Sequence, residues 1–385
     1  MRDLVHEDEV VALTQRLVRI DTRNPPGDER AAADACREML EPFGAVFDEV
    51  EPAPGRTSLV ATIGDAGDRP TLIVNGHLDV VPINPAQWTR DPFAAEVDEA
   101  EGRMYGRGTT DMKGGIAAAI CALSTLKRAG RAPACNLVFH LVADEERGGA
   151  LGTAALLEQG LIRGDACLVP EPTGLQVCVA ERGMLVVDIT TRGVPAHGSQ
   201  PQNGVSAIEK AAKVVLALHA ADMGEPRHDL LGQPTCNVGV IGGGSGHNTV
   251  AESCTVTVDR RLLPGSTRDG AIAGILGKVD AIPDDQLAYE YEAGVFAEAS
   301  ELDRSHPFVE TMRSAIAAAT GERPGVIGMS FTTDARFVRN QAGIPAIVCG
   351  PGEVAQAHTN DEWVAVSRLV DATVAYAELF STFGR

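Results

Sequence analysis

Apolar and polar positions along this chain fall into two rhythms. Up to about residue 180, short apolar runs at 72–74, 137–143 and 167–169 alternate with helical stretches at 116–128 and 149–159. That alternation predicts βαβ units and a mostly parallel sheet. From 181 to 293 the order changes to a strand at 184–191, an amphipathic helix at 205–220, strands at 235–241 and 253–262, a helix at 267–281 and a strand at 287–293. This β-α-β-β-α-β sequence is the split ferredoxin-like unit. A helix at 307–320 and a strand at 344–349 then resume the first pattern. The expected organisation is one α/β domain over 1–180 and 294–385, interrupted by a smaller α+β domain over 181–293. The glycine-rich stretch 242–246 is expected to be a tight loop between two strands of the insert, and no internal repeat is evident.

A chain of 385 residues can bury two cores. Its formal net charge of −20 argues against nucleic acid or an anionic membrane as a partner, since both reward basic patches. No apolar stretch approaches the roughly 18 residues of a membrane span. The eight cysteines form no CxxC pair, and Arg2, Asp3 and Glu7 stand where a signal peptide would be basic and then apolar. Reduced thiols and a cytoplasmic location are therefore expected.

Candidate chemistry sits where strands end. The first apolar run leads into His77 and Asp79; the loop YGRGTTDMKGG (105–115) carries Asp111; the run 137–143 ends in Asp144, Glu145 and Glu146; Glu171 lies between two prolines; and the last run leads through 350–352 to His358. Ligands of open α/β sheets gather beyond the carboxyl ends of the strands. Two histidines and at least three carboxylates there make the donor set of two divalent ions about 3.5–4 Å apart, sharing a bridging carboxylate. Each residue alone has an ordinary explanation, such as an acid at a helix start or a turn residue; their common placement favours metal. Neighbouring side chains point apart, so one of Glu145 and Glu146 can bind metal while the other handles water. His77 and Asp79 share a face of an extended segment, so Asp79 is expected to accept the second imidazole N–H and orient the ring. His140, between Phe139 and Leu141, is expected to be a packed core residue, and Arg107 and Lys113 to balance charge around Asp111. A dinucleotide fingerprint starting at Gly106 and Gly108 fails at Asp111. No GxSxG nucleophile turn surrounds Ser199, Ser245 or Ser330.

The segments GHLDVVP (76–82), GRGTTDMKGG (106–115), DEERGG (144–149) and PEPT (170–173), with the late GPG and His358, resemble the dinuclear zinc aminoacylase and peptidase family. That family includes acetylornithine deacetylase, succinyl-diaminopimelate desuccinylase and glutamate carboxypeptidase. The resemblance runs in order along nearly the whole chain. It implies a mostly parallel zinc-hydrolase domain with an inserted ferredoxin-like lid and dimerisation domain, and two divalent ions per subunit, zinc with cobalt or manganese as alternatives. It further implies that Asp111 bridges both ions, that His77 and Glu171 complete one site and Glu146 and His358 the other, and that Glu145 is the general base. His197 then matches a lid histidine that reaches the neighbouring subunit of a homodimer, while Asn248 and Arg261 match positions holding a substrate carboxylate. The segment SFTTDARF (330–337) resembles the substrate-side loop around Thr332, with Ser330 and Phe331 where a Gly-Gly pair is usual. Arg336 there binds a second anion or braces the loop. The implied substrate is an N-acyl amino acid, with a short peptide, cleaved by a metallo-carboxypeptidase or dipeptidase, as the alternative. A non-catalytic binding protein on the same fold is the remote alternative.

Overall fold

The computed structural model describes residues 1–64 and 68–384. The chain divides into two compact units, Met1–Val179 with Leu302–Ile327 and Thr333–Arg385, and Ala180–Glu301 with Gly328–Thr332. The insert thus runs past residue 293. Its last strand, Ala288–Ala297, continues beyond an irregularity between Ala293 and Phe296, and the short strand Ser300–Glu301 pairs with Glu181 and Ala180.

In the first unit the middle of the sheet is parallel. Asn136–Val142, Thr71–His77, Ala166–Pro172 and Ala346–Gly350 lie side by side in that order and direction. Three of these strands are buried at every residue, as near-continuous apolar runs covered on both faces must be. Ser58–Ile63 and Val46–Val50 extend one edge antiparallel. The helix Lys113–Arg128 packs on Thr71–His77 and Ala166–Pro172 and against the helices Glu7–Val18 and Val366–Thr382. Its sequence KGGIAAAICALSTLKR allows this because nearly every position is buried, with glycine and alanine between the larger Ile116, Ile120, Leu123 and Leu126. A small antiparallel sheet of Glu96–Asp98, Arg103–Tyr105 and Trp363–Ala365 joins the loop before Asp111 to the segment after His358. The helix expected over 149–159 is shorter. Gly148 and Gly149 take positive φ, so a single 3₁₀ turn, Glu145–Arg147, is followed by a break and then the helix Thr153–Glu158.

The second unit is a four-stranded antiparallel sheet in the order Thr235–Gly243, Ser253–Leu262, Gly183–Arg192, Ala288–Ala297. Alternate residues of Ser253–Leu262 are buried. They form a core with residues such as Val187, Val214 and Ile275 from the strands and from the helices Ala207–Leu218 and Arg268–Asp280. Ser206 and Thr267 fix the helix starts by accepting N–H bonds from Glu209 and Gly270. All eight cysteines are buried, and none is in a disulfide. Among the described residues no helix is long and apolar enough to cross a membrane.

Candidate metal centre

Two ligand groups form at the carboxyl ends of the parallel strands, and they share one residue. His77 closes Thr71–His77, and its Nε2 lies 3.0 Å from Asp111 Oδ1 and 3.4 Å from Glu171 Oε1. His358, reached by a loop from Ala346–Gly350, has its Nε2 3.3 Å from Asp111 Oδ2 and 3.1 Å from Glu146 Oε2. Each oxygen of Asp111 therefore faces a different imidazole. Within each group the donor atoms lie within 4.8 Å of one another. Both expected ligand sets, His77, Asp111, Glu171 and Asp111, Glu146, His358, are brought together.

The helix start beside the strand Ala166–Pro172 brings Asp111 up to Glu171, and this close approach depends on glycine. A side chain on Gly115 would come within 2.1 Å of the Pro170 carbonyl oxygen, and one on Gly350 within 2.2 Å of the same atom.

The role expected for the Asp79 carboxylate is corrected by the geometry. The strand ends at His77, so the ring Nδ1 meets the Asp79 backbone carbonyl at 2.8 Å, while the carboxylate is 3.6 Å away. The Asp79 carboxylate instead accepts from the backbone N–H groups of Glu145 and Glu146, at 3.2 and 3.3 Å, and from Asn24 Nδ2 at 2.9 Å. It holds the turn that presents both glutamates. Asn24 also reaches Asp144, which lies 3.2 Å from Arg56, itself paired with Glu29.

The electrostatics favour a cation. Burial, followed by the charge on Asp111, pushes Glu171 up to about 8 and also raises Glu146. Burial raises Glu145 well above the usual glutamate range, with Glu171, Asp334 and Glu146 adding to it against His77. Hydrogen bonds to Asp111 and Glu146 lift His358 to about 11. For His77 burial is outweighed by Glu171 and Asp111, and its imidazole is held well above the ordinary value. Both imidazoles and the three glutamates are shifted toward their protonated forms, while Asp111, between the imidazoles, is held below the usual carboxylate range, because acids crowd a largely buried site with too little positive charge. Glu146 Oε1 is buried with no hydrogen-bond partner. Imidazole nitrogens and carboxylate oxygens converging with an orphaned oxygen fit divalent ions.

Other predicted residues divide between the units. In the second unit His197 and Asn248 share a corner, where Gly198 N–H donates to the Asn248 carbonyl at 2.7 Å. His197 is exposed, and its Nδ1 accepts the Ser199 N–H at 3.1 Å, which leaves the ring proton on Nε2. The Arg261 fork is engaged, with Nε and Nη2 2.9 and 3.1 Å from the Asp259 carboxylate. The Thr332 hydroxyl is buried without a hydrogen-bond partner. In the first unit Arg336 is a brace, donating to the Thr333 and Gly148 carbonyls at 2.9 and 2.7 Å and lying over Phe337. His140 is buried, and burial lowers it to about 4, in keeping with a neutral core residue. Two residues escaped the sequence analysis. Asp334, bonded to Thr153 at 2.6 Å, adds charge near Glu145, and Glu362 is wholly buried beside the Asp111 loop. Nothing local in one sequence distinguishes such acids from solvated loop residues.

Comparison with known proteins agrees with this geometry. Residues 73–382 match peptidase family M20/M25/M40. A succinyl-diaminopimelate desuccinylase from Methylobacterium radiotolerans is 30% identical over 98% of this chain and 97% of its own length. An acetylornithine deacetylase from Proteus mirabilis is 31% identical over 96% and 94%. A tripeptidase from Staphylococcus aureus shares the fold, with a TM-score of 0.81 at 22% identity and 98% coverage of both chains. The resemblance noted in the strand-end motifs therefore extends to full-length relatives, and the chain belongs to peptidase family M20/M25/M40, a family of metal-dependent hydrolases of amide bonds.

Proposed function

We propose that the protein hydrolyses the amide bond of an N-acyl amino acid, using two divalent ions per subunit, zinc before cobalt or manganese. The observation that carries this reading is Asp111, each of whose oxygens faces one histidine and, beyond it, one further acid. His77, Asp111 and Glu171 would hold one ion and Asp111, Glu146 and His358 the other. Bound ions would polarise the amide carbonyl and make water more acidic. Glu145 belongs to neither group, yet Asp79 holds its backbone beside them. In this role its carboxylate takes a proton from the attacking water and passes it to the departing amine nitrogen, leaving a free acid and a free amine.

The second unit serves as lid and dimerisation surface. Across a two-fold assembly the partner's His197 would donate Nε2–H to the developing oxyanion. Asn248 and Arg261 would take the substrate carboxylate, with Arg261 changing partner from Asp259, and Thr332 would offer its unpaired hydroxyl. Full-length identity to a desuccinylase and a deacetylase supports an acyl substrate; the tripeptidase neighbour supports only the fold. Eight buried cysteines without a disulfide fit a reducing compartment such as the cytoplasm.

Assays of the metal-loaded protein on acetyl-, formyl- and succinyl-amino acids beside di- and tripeptides test this. The expected result is turnover of an acyl amino acid, two ions per chain, and loss of activity on chelation. Higher kcat/KM on peptides would replace this with the peptidase reading. Two tightly held ions without turnover of any member would favour a binding protein.

A further inference from the structure

Glu362 lies outside both ligand groups but is tied directly to the loop that carries Asp111. Its carboxylate is wholly buried. Oε1 accepts three backbone N–H groups, from Gly108 at 3.0 Å, Thr110 at 2.9 Å and Asp111 at 3.1 Å. Oε2 is paired with Arg107. Burying a carboxylate is costly, and three convergent N–H donors with a guanidinium are what compensates it. All three donors belong to the loop that presents Asp111.

The other end of the pair reaches His358. Arg107 Nη2 donates to the carbonyl of Thr359 at 3.1 Å, the residue after His358, whose φ of 61° is unusual for a side chain of this kind. The guanidinium lies 5.3 Å from the Trp88 ring centroid. Two further bonds close the same seam, Gly106 N–H to the Glu362 carbonyl at 2.8 Å and Thr110 Oγ1 to the Trp363 carbonyl at 2.7 Å. By contrast, His77 and Glu171 stand on adjacent strands of the central sheet, and neither bonds to Glu362 or Arg107.

We propose that Glu362 and Arg107 form a positioning pair that sets Asp111 against His358 and so governs retention of the ion held by Asp111, Glu146 and His358, far more than that of its neighbour. The proposal rests on the metal-centre reading above. Its consequence is an asymmetry between two sites that share a ligand.

Glu362→Gln keeps an acceptor for the N–H groups and removes the ion pair; Arg107→Lys keeps the charge and gives up the reach to Thr359. Cobalt titration of the metal-free protein, followed by calorimetry and by the visible absorption of the bound ion, reads the two affinities separately. In both variants one ion should bind within about twofold of wild type, and the other should weaken by about 10- to 100-fold, the usual range for outer partners of metal ligands. Excess cobalt should then restore kcat with KM unchanged. Two ions at wild-type affinity, or both weakened alike, overturns the proposal. If Glu362→Gln does not fold, Arg107→Lys decides; unfolding of Arg107→Lys as well would mean a general structural role and also count against positioning. A wild-type protein holding fewer than two ions would overturn the metal-centre reading itself, a result distinct from any outcome in the variants.

Discussion

Glu145 and Glu146 are consecutive in sequence and separate in task because one carboxylate, Asp79, takes both of their backbone N–H groups. With the turn pinned, Glu146 meets His358 and Glu145 is left beside the pair of ligand groups. Glu145→Gln should therefore keep both ions and lose roughly a hundredfold to ten-thousandfold in kcat, whereas Glu146→Gln should weaken one ion. Metal analysis beside single-turnover kinetics separates the two, and equal metal loss in both would refute the division. The residues of the two candidate ligand groups were legible in the sequence as a cluster, since a histidine or acid directly after an apolar run has few places to go but the carboxyl edge of a sheet. Asp79 was misread because the face argument assumed extended backbone through residue 79, and the strand stops at His77. Arg261 was read as a fork for a substrate carboxylate, and Arg336 as either an anion binder or a brace. Their partners, the Asp259 carboxylate and the Gly148 and Thr333 carbonyls, depend on folded neighbours that a sequence does not display.

The helix Lys113–Arg128 and the strands Ala166–Pro172 and Ala346–Gly350 meet at Pro170, where Gly115 and Gly350 leave no room for a methyl group. Gly115→Ala should destabilise the protein by about 1–3 kcal/mol through overpacking and loosen Glu171 with it. Gly277, within Arg268–Asp280, has open space around it, so Gly277→Ala should be neutral or stabilise by up to about 1 kcal/mol through helix propensity. Urea unfolding of the two variants measures the contrast, and similar effects would refute the packing argument. At this scale the βαβ alternation and the split order of the insert were readable, because parallel core strands are continuous apolar runs and the insert's strands alternate. The segment 149–159 was not. Its composition suits a helix, but the positive φ of Gly148 and Gly149 delays the helix to Thr153, and no periodicity signals that. The insert's end was misplaced for a similar reason, since the irregularity after Ala293 interrupts the alternation while the strand goes on to Ala297.

Over the whole molecule, the second unit exposes apolar side chains on the helix Ala207–Leu218 and the edge strand Thr235–Gly243, with Leu216 84%, Val240 62% and Ile241 53% accessible. An open strand edge beside such side chains is the kind of surface that a second copy would cover, which is what the shared-site proposal requires. His197→Ala should lower kcat roughly a hundredfold to a thousandfold, as loss of one oxyanion donor does, with both ions retained. Mixed with Glu145→Gln, it should regain activity in heterodimers, where one site has its own Glu145 and the partner's His197. Verified heterodimers that stay inactive would refute the exchange. The shared Asp111 carries a further consequence, in time. His77, Asp111 and Glu171 are all made before the insert, but His358 follows Glu171, the last of them, by 187 residues (358 − 171), roughly 9 to 37 s of synthesis at typical rates. The first ligand group can therefore close on the ribosome well before the second exists, and the two ions need not arrive together.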